Sequence, residues 1–522
     1  AIPVEGSEEP YHNNFPLLHD LFINHPENSL LLKFIADPPT TTLQRLKGLT
    51  TGSLPTIIDA GSNFDGDTIE EDNWISQLYH NKKNVAFVGD DTWDALFSPF
   101  LYKNLTFPYD SLNVWDLHSV DNGVIEHIFP MLNDQNMKND WDVLIGHFLG
   151  VDHCGHRYGP QHFAMKQKLN QMNKVVQDVI DSLDDDTMLI LFGDHGMDPV
   201  GNHGGESIDE IESTIFMYSK TPYFGRLDDS VYDISNTGKN YRKINQIDLV
   251  PTMSFLLGMP IPFNSLGSPI DEVFLGLNNN NYEQLAKLDH ITSGQIQSFR
   301  QKTPSLANNE EINDMFSELS NEWLKTISNN NNNEIEKTDA FKEYILKSRK
   351  YQSVSLEECK NLWARFDLLS ISIGIIITFV ALLLLIIYSK LIPSVVVAQL
   401  NPQFLSSTVA LLFVYGIIFA SFCNVIKPEG LPLTWGLLLA TAIAIVNGIL
   451  APVMNRFSVP WLIAQVQENL IQNGWTYFAL VIILLHSVIF TSNSFIIWED
   501  KIVTFWLSTF GFCAVFKSFQ KK

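Results

Sequence analysis

Two stretches of this chain hold most of the side chains able to bind metal and carry reaction chemistry. GHFLGVDHCGHRYGP, residues 146–160, sets Asp152, His156 and Gly159 in the pattern D-x-x-G-H-x-x-G. LILFGDHGMDPVGNHGGES, residues 189–207, is an apolar run that ends in Asp194, His195 and Gly196 and continues to His203, Gly204 and Gly205. Oxygen and imidazole ligands gathered in loops are what a borderline divalent cation such as zinc requires. Two carboxylates and three imidazoles exceed the needs of one closed site. A pair of metals sharing one substrate is therefore the sharper reading, and paired metals recur in phosphoryl chemistry. An isolated His or Asp on a surface is ordinarily just solvated; the placement of all five beside apolar runs argues against that reading here.

The elements that must position these groups follow from the pattern around them. WDVLIGHFLGVD and TMLILFGDHG both read as short buried strands running into glycine-rich loops, and α/β proteins place their sites at such strand ends. Upstream, residues 1–36 are polar and interrupted by proline. They lead into DPPTTTLQRLKGLTTGSLP, where Thr40 to Thr42 offer caps and Leu43, Leu46 and Leu49 recur at helical spacing until Gly52 and Pro55. A threonine at a helix N-terminus faces free backbone N–H groups, which favour an anion such as phosphate; capping alone is the plainer role. IIDAGSNF, a helix near 69–79, the strand NVAFVGDD, a loop region to about residue 139, a helix near 161–183, the strand IFMYSK and a helix in QIDLVPTMSFLLG complete residues 1–275. Strands alternating with helices predict an α/β sandwich around a central, mostly parallel sheet. Residues 276–365 read as a helical connection with asparagine-rich, low-complexity loops.

From Phe366 to Lys522 the pattern changes to an all-α, multi-span membrane domain. Spans 366–388, 404–426, 431–454 and 475–490 are long apolar runs, and 502–516 is a shorter fifth, against a hydrocarbon thickness of about 30 Å. Lys390, Arg456, Lys517, Lys521 and Lys522 fall on one side of these spans, which places residues 1–365 lumenally by the positive-inside bias. Residues 1–365 carry 53 acids and 27 bases. That balance excludes a nucleic-acid partner, which selects basic faces. The four cysteines make no disulfide framework, since Cys154 lies inside the metal-binding stretch and Cys423 and Cys513 in apolar spans. Asn104-Leu105-Thr106 is a glycosylation sequon and fits a lumenal domain.

These residues resemble the alkaline phosphatase superfamily, which includes nucleotide pyrophosphatase/phosphodiesterases and lipid-linked phosphoethanolamine transferases. DPPTTTLQRLKGLTTGSLPTIIDAGSNF, VGDDTW and HFLGVDHCGHRYGP are similar to the subgroup that adds ethanolamine phosphate to the third mannose of the glycosylphosphatidylinositol (GPI) anchor precursor. The resemblance implies one metal held by Asp152, His156 and His203, and a second held by Asp194, His195 and the nucleophile. Thr42 is the nucleophile it implies, since the related attacking threonine lies nine residues before the threonine of a Thr-Gly pair, here Thr51-Gly52; the same alignment makes Asn63 the phosphate-binding asparagine. It further implies two divalent ions, zinc or alternatively manganese, and phosphatidylethanolamine and the GPI precursor as substrates. An endoplasmic reticulum location and a small membrane subunit as a partner follow from the same resemblance. On this reading Thr40→Ala is expected to be mild in its effect on transfer. The family's first strand ends in an aspartate that completes the second metal site, within a segment resembling V-L-I-D-A-L-R; none precedes Thr42, Asp20 and Asp37 read as following no apolar strand, and the sequence is expected to be truncated at both ends. Two rival functions are a hydrolytic phosphodiesterase and a non-catalytic relic of the family used for binding.

Overall fold

The computed structural model describes residues 3–55, 68–227, 241–277, 281–328 and 334–363, with short runs and single positions between 374 and 508. Asn63 and nearly all of the five expected spans lie outside the described residues. Among the described residues no helix is long and apolar enough to cross a membrane. Contacts divide the chain into a unit of residues 1–364 with 492–522 and a unit of 365–491, of which only short helical runs such as 408–415 are described.

In chain order the first unit runs α1 (Leu17–Asn24), β1 (Ser29–Ile35), α2 (Thr42–Thr51), α3 (Trp74–His80), β2 (Val85–Asp90), α4 (Thr92–Phe97), β3 (Thr106–Tyr109) and α5 (Ser119–Asn133). It continues with β4 (Val143–His147), α6 (Gly150–Tyr158), α7 (Phe163–Ser182), β5 (Met188–Phe192), β6 (Glu212–Ser219), β7 (Lys243–Asn245), α8 (Leu249–Leu256), α9 (Tyr282–Lys302), α10 (Glu310–Ser328) and α11 (Glu334–Trp363). The class is α/β, and the strands lie in two sheets. One is parallel throughout, in the order β3-β2-β4. The other runs β5-β6-β1-β7 and is mixed, with β5, β6 and β1 antiparallel in turn and β7 parallel to β1. The central sheet expected to be mostly parallel is thus, among the described residues, a three-stranded parallel sheet beside a four-stranded mixed one. β4 and β5, the strands that lead to the metal-binding stretches, each pair on one side only among the described residues.

β2 is buried along its whole length, as its unbroken VAFVGD run demands of a strand covered on both faces. Helix α7 buries Ala164, Met165, Met172, Val175, Val176, Val179 and Ile180, the three-and-four spacing of one helix face. Several elements depart from the sequence reading, α1 and α4 among them. The stretch 1–36, read as polar approach, contains β1 at the heart of the mixed sheet, with Leu30, Leu31, Leu32 and Phe34 all buried. Asp37 therefore does follow an apolar strand. Its seven residues sit between Pro26 and Pro38, and the polar flanks dilute any longer window. Likewise β3 and α5 occupy the region read as loop between residues 91 and 139.

Helices α9, α10 and α11 supply part of the same core: Ala286, Ile296, Leu319, Tyr344 and Tyr351 belong to one buried cluster with Leu31, Phe34 and Phe216. Charge is buried with them. Arg349 on α11 donates to Asp271 at 2.6 Å and to Asp289 on α9 at 3.1 Å, so two carboxylates share one guanidinium. Burial pushes the Asp289 carboxyl up to about 7, against the pull of Arg349 and with the help of Asp271. The sign of its linkage follows. Between its ordinary range near 4 and about 7 the folded chain holds a proton that the unfolded chain has released, so stability falls as pH rises through that window. We expect the difference in Tm between the wild type and Asp289→Asn to shift in the wild type's favour on going from pH 7 to pH 5, as measured by thermal unfolding; a shift the other way would show Asp289 ionised beside Arg349.

Candidate metal centre

Helix α6 carries the first cluster, and a buried ion pair fixes where it starts. The N–H groups of Leu149 and Gly150 donate to Asp121 Oδ1 at 3.0 and 2.9 Å, while Lys168 Nζ of α7 donates to Asp121 Oδ2 at 2.9 Å. Asp121 and Lys168 are both buried. A carboxylate at a helix N-terminus satisfies orphan donors and suits the dipole. Gly150 is required there, because a Cβ would lie 2.1 Å from Asp121 Oδ2. Asp152 and His156 then stand four residues apart on one face of α6. Gly155, the glycine of the D-x-x-G-H pattern, lets the loop of residues 196–204 lie against this helix: its Cβ would meet Met197 Sδ at 2.2 Å, and that of Gly201 would meet the Gly155 carbonyl at 2.1 Å.

The loop after β5 brings in the other ligands, and its hydrogen bonds settle which ring nitrogens are free. His203 Nδ1 lies 2.7 Å from the Thr40 carbonyl, which can only accept, so Nδ1 carries the proton and Nε2 keeps its lone pair. His195 repeats the arrangement, with Nδ1 2.9 Å from the Gly196 carbonyl. His203 Nε2 is then 3.5 Å from Asp152 Oδ1, His156 Nε2 is 3.5 Å from Asp152 Oδ2, and His195 Nε2 is 3.5 Å from Asp194 Oδ2. These separations are too long for hydrogen bonds. They match about 3.4 Å, the spacing of two ligands that bind one tetrahedral zinc at about 2.1 Å. Asp152 Oδ1 and Asp194 Oδ2 are enclosed yet accept no hydrogen bond, a costly state unless a cation occupies the space between. Asp152, His156 and His203 offer ligand atoms all within 4.8 Å of one another. The His195 ring stacks on the His203 ring with centroids 3.7 Å apart, so the Asp194–His195 pair adjoins the first cluster.

The electrostatics agree with cation binding. Burial alone would raise the Asp152 carboxyl, but His203, His156, His195 and His153 together hold it below the usual range. Burial, with His195 next in weight, lowers His203 and favours its neutral, ligating form.

Thr40 touches the loop of this centre, and Thr41 and Thr42 follow it in different settings. Thr40 is fully buried, its Oγ1 donating to the Gly205 carbonyl at 3.0 Å and accepting from Gly204 N–H at 2.9 Å. That places the Thr40 side chain in the frame of the His203 loop. Thr41 is the extended residue preceding α2, and Thr42 is the half-buried first residue of that helix. Asp37, at the end of β1, meets Lys360 of α11 at 2.6 Å through one oxygen, and its other oxygen is buried without a partner. Sequence reasoning missed Arg45 and Gln44, buried one turn into α2 with unpaired polar atoms, and Gln246.

Comparison with known proteins places this geometry in a family. Residues 46–246 match the type I phosphodiesterase / nucleotide pyrophosphatase family. The chain is a relative of the GPI ethanolamine phosphate transferases. It is 46% identical over 524 residues to GPI ethanolamine phosphate transferase 3 of Saccharomyces cerevisiae, covering 99% of this chain and 49% of that protein. The same-named protein of Schizosaccharomyces pombe is 39% identical, covering 100% and 51%. The catalytic subunit of GPI ethanolamine phosphate transferase 3 of Homo sapiens is 33% identical, covering 96% and 44%. The chain thus spans about half the length of the curated relatives it matches. The matched family region contains Asp152, His156, Asp194, His195 and His203, and begins four residues after Thr42.

Two substitutions test the frame of the site. Lys168→Met leaves Asp121 buried without its cation and should cost about 3–5 kcal/mol in chemical unfolding. Thr40→Ala leaves the Gly204 N–H and Gly205 carbonyl unpaired and should cost about 1–3 kcal/mol and lower metal content on elemental analysis. Wild-type metal content in Thr40→Ala would show that His203 is held without that hydroxyl.

Proposed function

We propose that the protein transfers phosphoethanolamine from phosphatidylethanolamine to a mannose, the third, of the GPI anchor precursor, at a lumenal site on the endoplasmic reticulum membrane. The observation that carries this reading is the pair of adjacent acid–imidazole clusters with free Nε2 atoms and unpaired carboxylate oxygens, tied through Thr40 to the segment that begins α2. The names of the relatives supply the substrate class. Asp152, His156 and His203 would hold one divalent cation, and Asp194, His195 and Thr42 a second, zinc or manganese. When bound, such cations withdraw charge from phosphoryl oxygens and from a coordinated hydroxyl.

Thr42 Oγ attacks the phosphorus of the donor; the bond from phosphorus to the diacylglycerol oxygen breaks, and diacylglycerol leaves with the proton. The O6 hydroxyl of mannose then attacks the Thr42-bound phosphorus, and the threonine hydroxyl is restored. A threonine hydroxyl is weakly nucleophilic at neutral pH, which is why its place at a helix N-terminus beside the clusters matters. Backbone N–H groups at the start of α2, with Asn63, would bear the charge that develops on the phosphoryl oxygens. A covalent step lets two bulky lipid substrates use one site in turn. A small membrane subunit accompanies the protein on this reading.

We expect Thr42→Ala to abolish transfer of labelled phosphoethanolamine to mannosylated acceptor in membranes, with a stability loss of about 1 kcal/mol or less, the scale of a lost helix-end contact. Substantial transfer by Thr42→Ala would move the nucleophile to a neighbouring threonine. Release of free phosphoethanolamine by the wild type without transfer would make the protein a hydrolase.

A further inference from the structure

Gln246 is buried on the short 3₁₀ turn Gln246–Asp248 and bridges two parts of the site with the two ends of one amide. Its Oε1 accepts from Arg45 Nη1 at 3.4 Å, and its Nε2 donates to the backbone carbonyl of Asp194. Arg45 is itself buried on α2, one turn after Thr42, and its Nε and Nη2 groups have no partner. Burial lowers the Arg45 guanidinium to about 10, while Asp37 and Asp194 pull the other way. A buried cation with unpaired donors is costly to keep unless its placement serves something else.

The turn is anchored independently of the metal-binding loop. Asn245 and Asp248 form a reciprocal capping box, and β7 pairs in parallel with β1, Ile35 opposite Asn245. β1 in turn runs through Asp37 and the two prolines into α2. Gln246 therefore measures the distance from the α2 frame to Asp194. Among uncharged side chains, only one with an acceptor and a donor on the same planar group meets both demands.

We propose that Gln246, oriented by Arg45, is a positioning residue that holds the Asp194–His195 pair in register with the N-terminus of α2, and so sets the affinity of the second cation position. This rests on the reading of that pair as a cation site. It acts through the Asp194 backbone and touches no ligand atom.

The test is zinc titration of the purified metal-free protein against a competing chelator, resolving two binding steps, in the wild type and in two variants. Gln246→Met keeps the volume and loses both contacts. Gln246→Glu keeps an acceptor for Arg45 but turns an oxygen toward the Asp194 carbonyl. In both, the second step should weaken about 10- to 100-fold, the range for groups that orient metal ligands, with the first step unchanged. Arg45→Met should weaken the second step in the same direction. Two steps of wild-type affinity in the Gln246 variants would overturn the assignment and leave the two-cation reading standing. Equal weakening of both steps together with a lower Tm would also overturn it, since that is general loosening of the fold. A wild type that takes up only one equivalent would overturn both this assignment and the cation reading of Asp194 and His195.

Discussion

The hydrogen bond from His203 Nδ1 to the Thr40 carbonyl, 2.7 Å long, is the contact on which the site depends. It fixes a tautomer, frees Nε2 toward Asp152, and joins the loop that carries the imidazole to the segment that begins α2. Without it the two metal-binding stretches would still be neighbours, but the His203 ring would lose the contact that orients it toward Asp152. The Thr40 hydroxyl reinforces the same junction from the side chain, bonding Gly204 and Gly205 just past His203. A second-layer acceptor that orients a ligating histidine is a general feature of metal sites, and here it is supplied by backbone two residues before the start of α2.

The remaining architecture separates charges that are neutralised within the protein from charges left open. Asp121 has Lys168 and two backbone donors, and Asp289 and Asp271 share Arg349. Asp152 and Asp194, by contrast, have their nearest imidazole nitrogens at 3.5 Å and keep an oxygen each without a hydrogen bond. Asp37 also keeps one buried oxygen without a hydrogen bond, but its other oxygen meets Lys360, whereas the neighbours that Asp152 and Asp194 face are imidazoles, and cation binding is the use those neighbours support.

How much of this was legible in the sequence varied with the kind of residue. Ligands were legible because Asp, His and Gly recur in short patterns beside apolar runs, and Asp152, His156 and His203 do converge. The strand β1 was not, because a seven-residue strand with five apolar residues, flanked by proline and polar segments, carries little periodicity of its own and gains its identity from pairing with β6 more than 170 residues away. Gln246 was equally silent, since an amide has no signature until both of its partners are seen. The role of Thr40 was hidden for a related reason: in sequence it is one of three adjacent threonines, and only the fold shows that the first bonds the His203 loop while the third opens α2.

The placement of Asp37 resolves a point that sequence alone leaves open. Asp37 follows a strand and precedes Thr42 by five residues, which makes it a residue to consider as a further ligand. Yet one oxygen is engaged by Lys360 at 2.6 Å, and Arg45 lies close enough to pull on the same carboxylate. A carboxylate flanked by two cations is poorly placed to attract a third that is doubly charged. Asp37 instead links α11, the last described helix before the apolar region that begins at Phe366, to the segment that sets Thr40 and Thr42. The start of α2 is thereby coupled to the helix that precedes the apolar region, through one partly exposed ion pair in which the second carboxylate oxygen is buried.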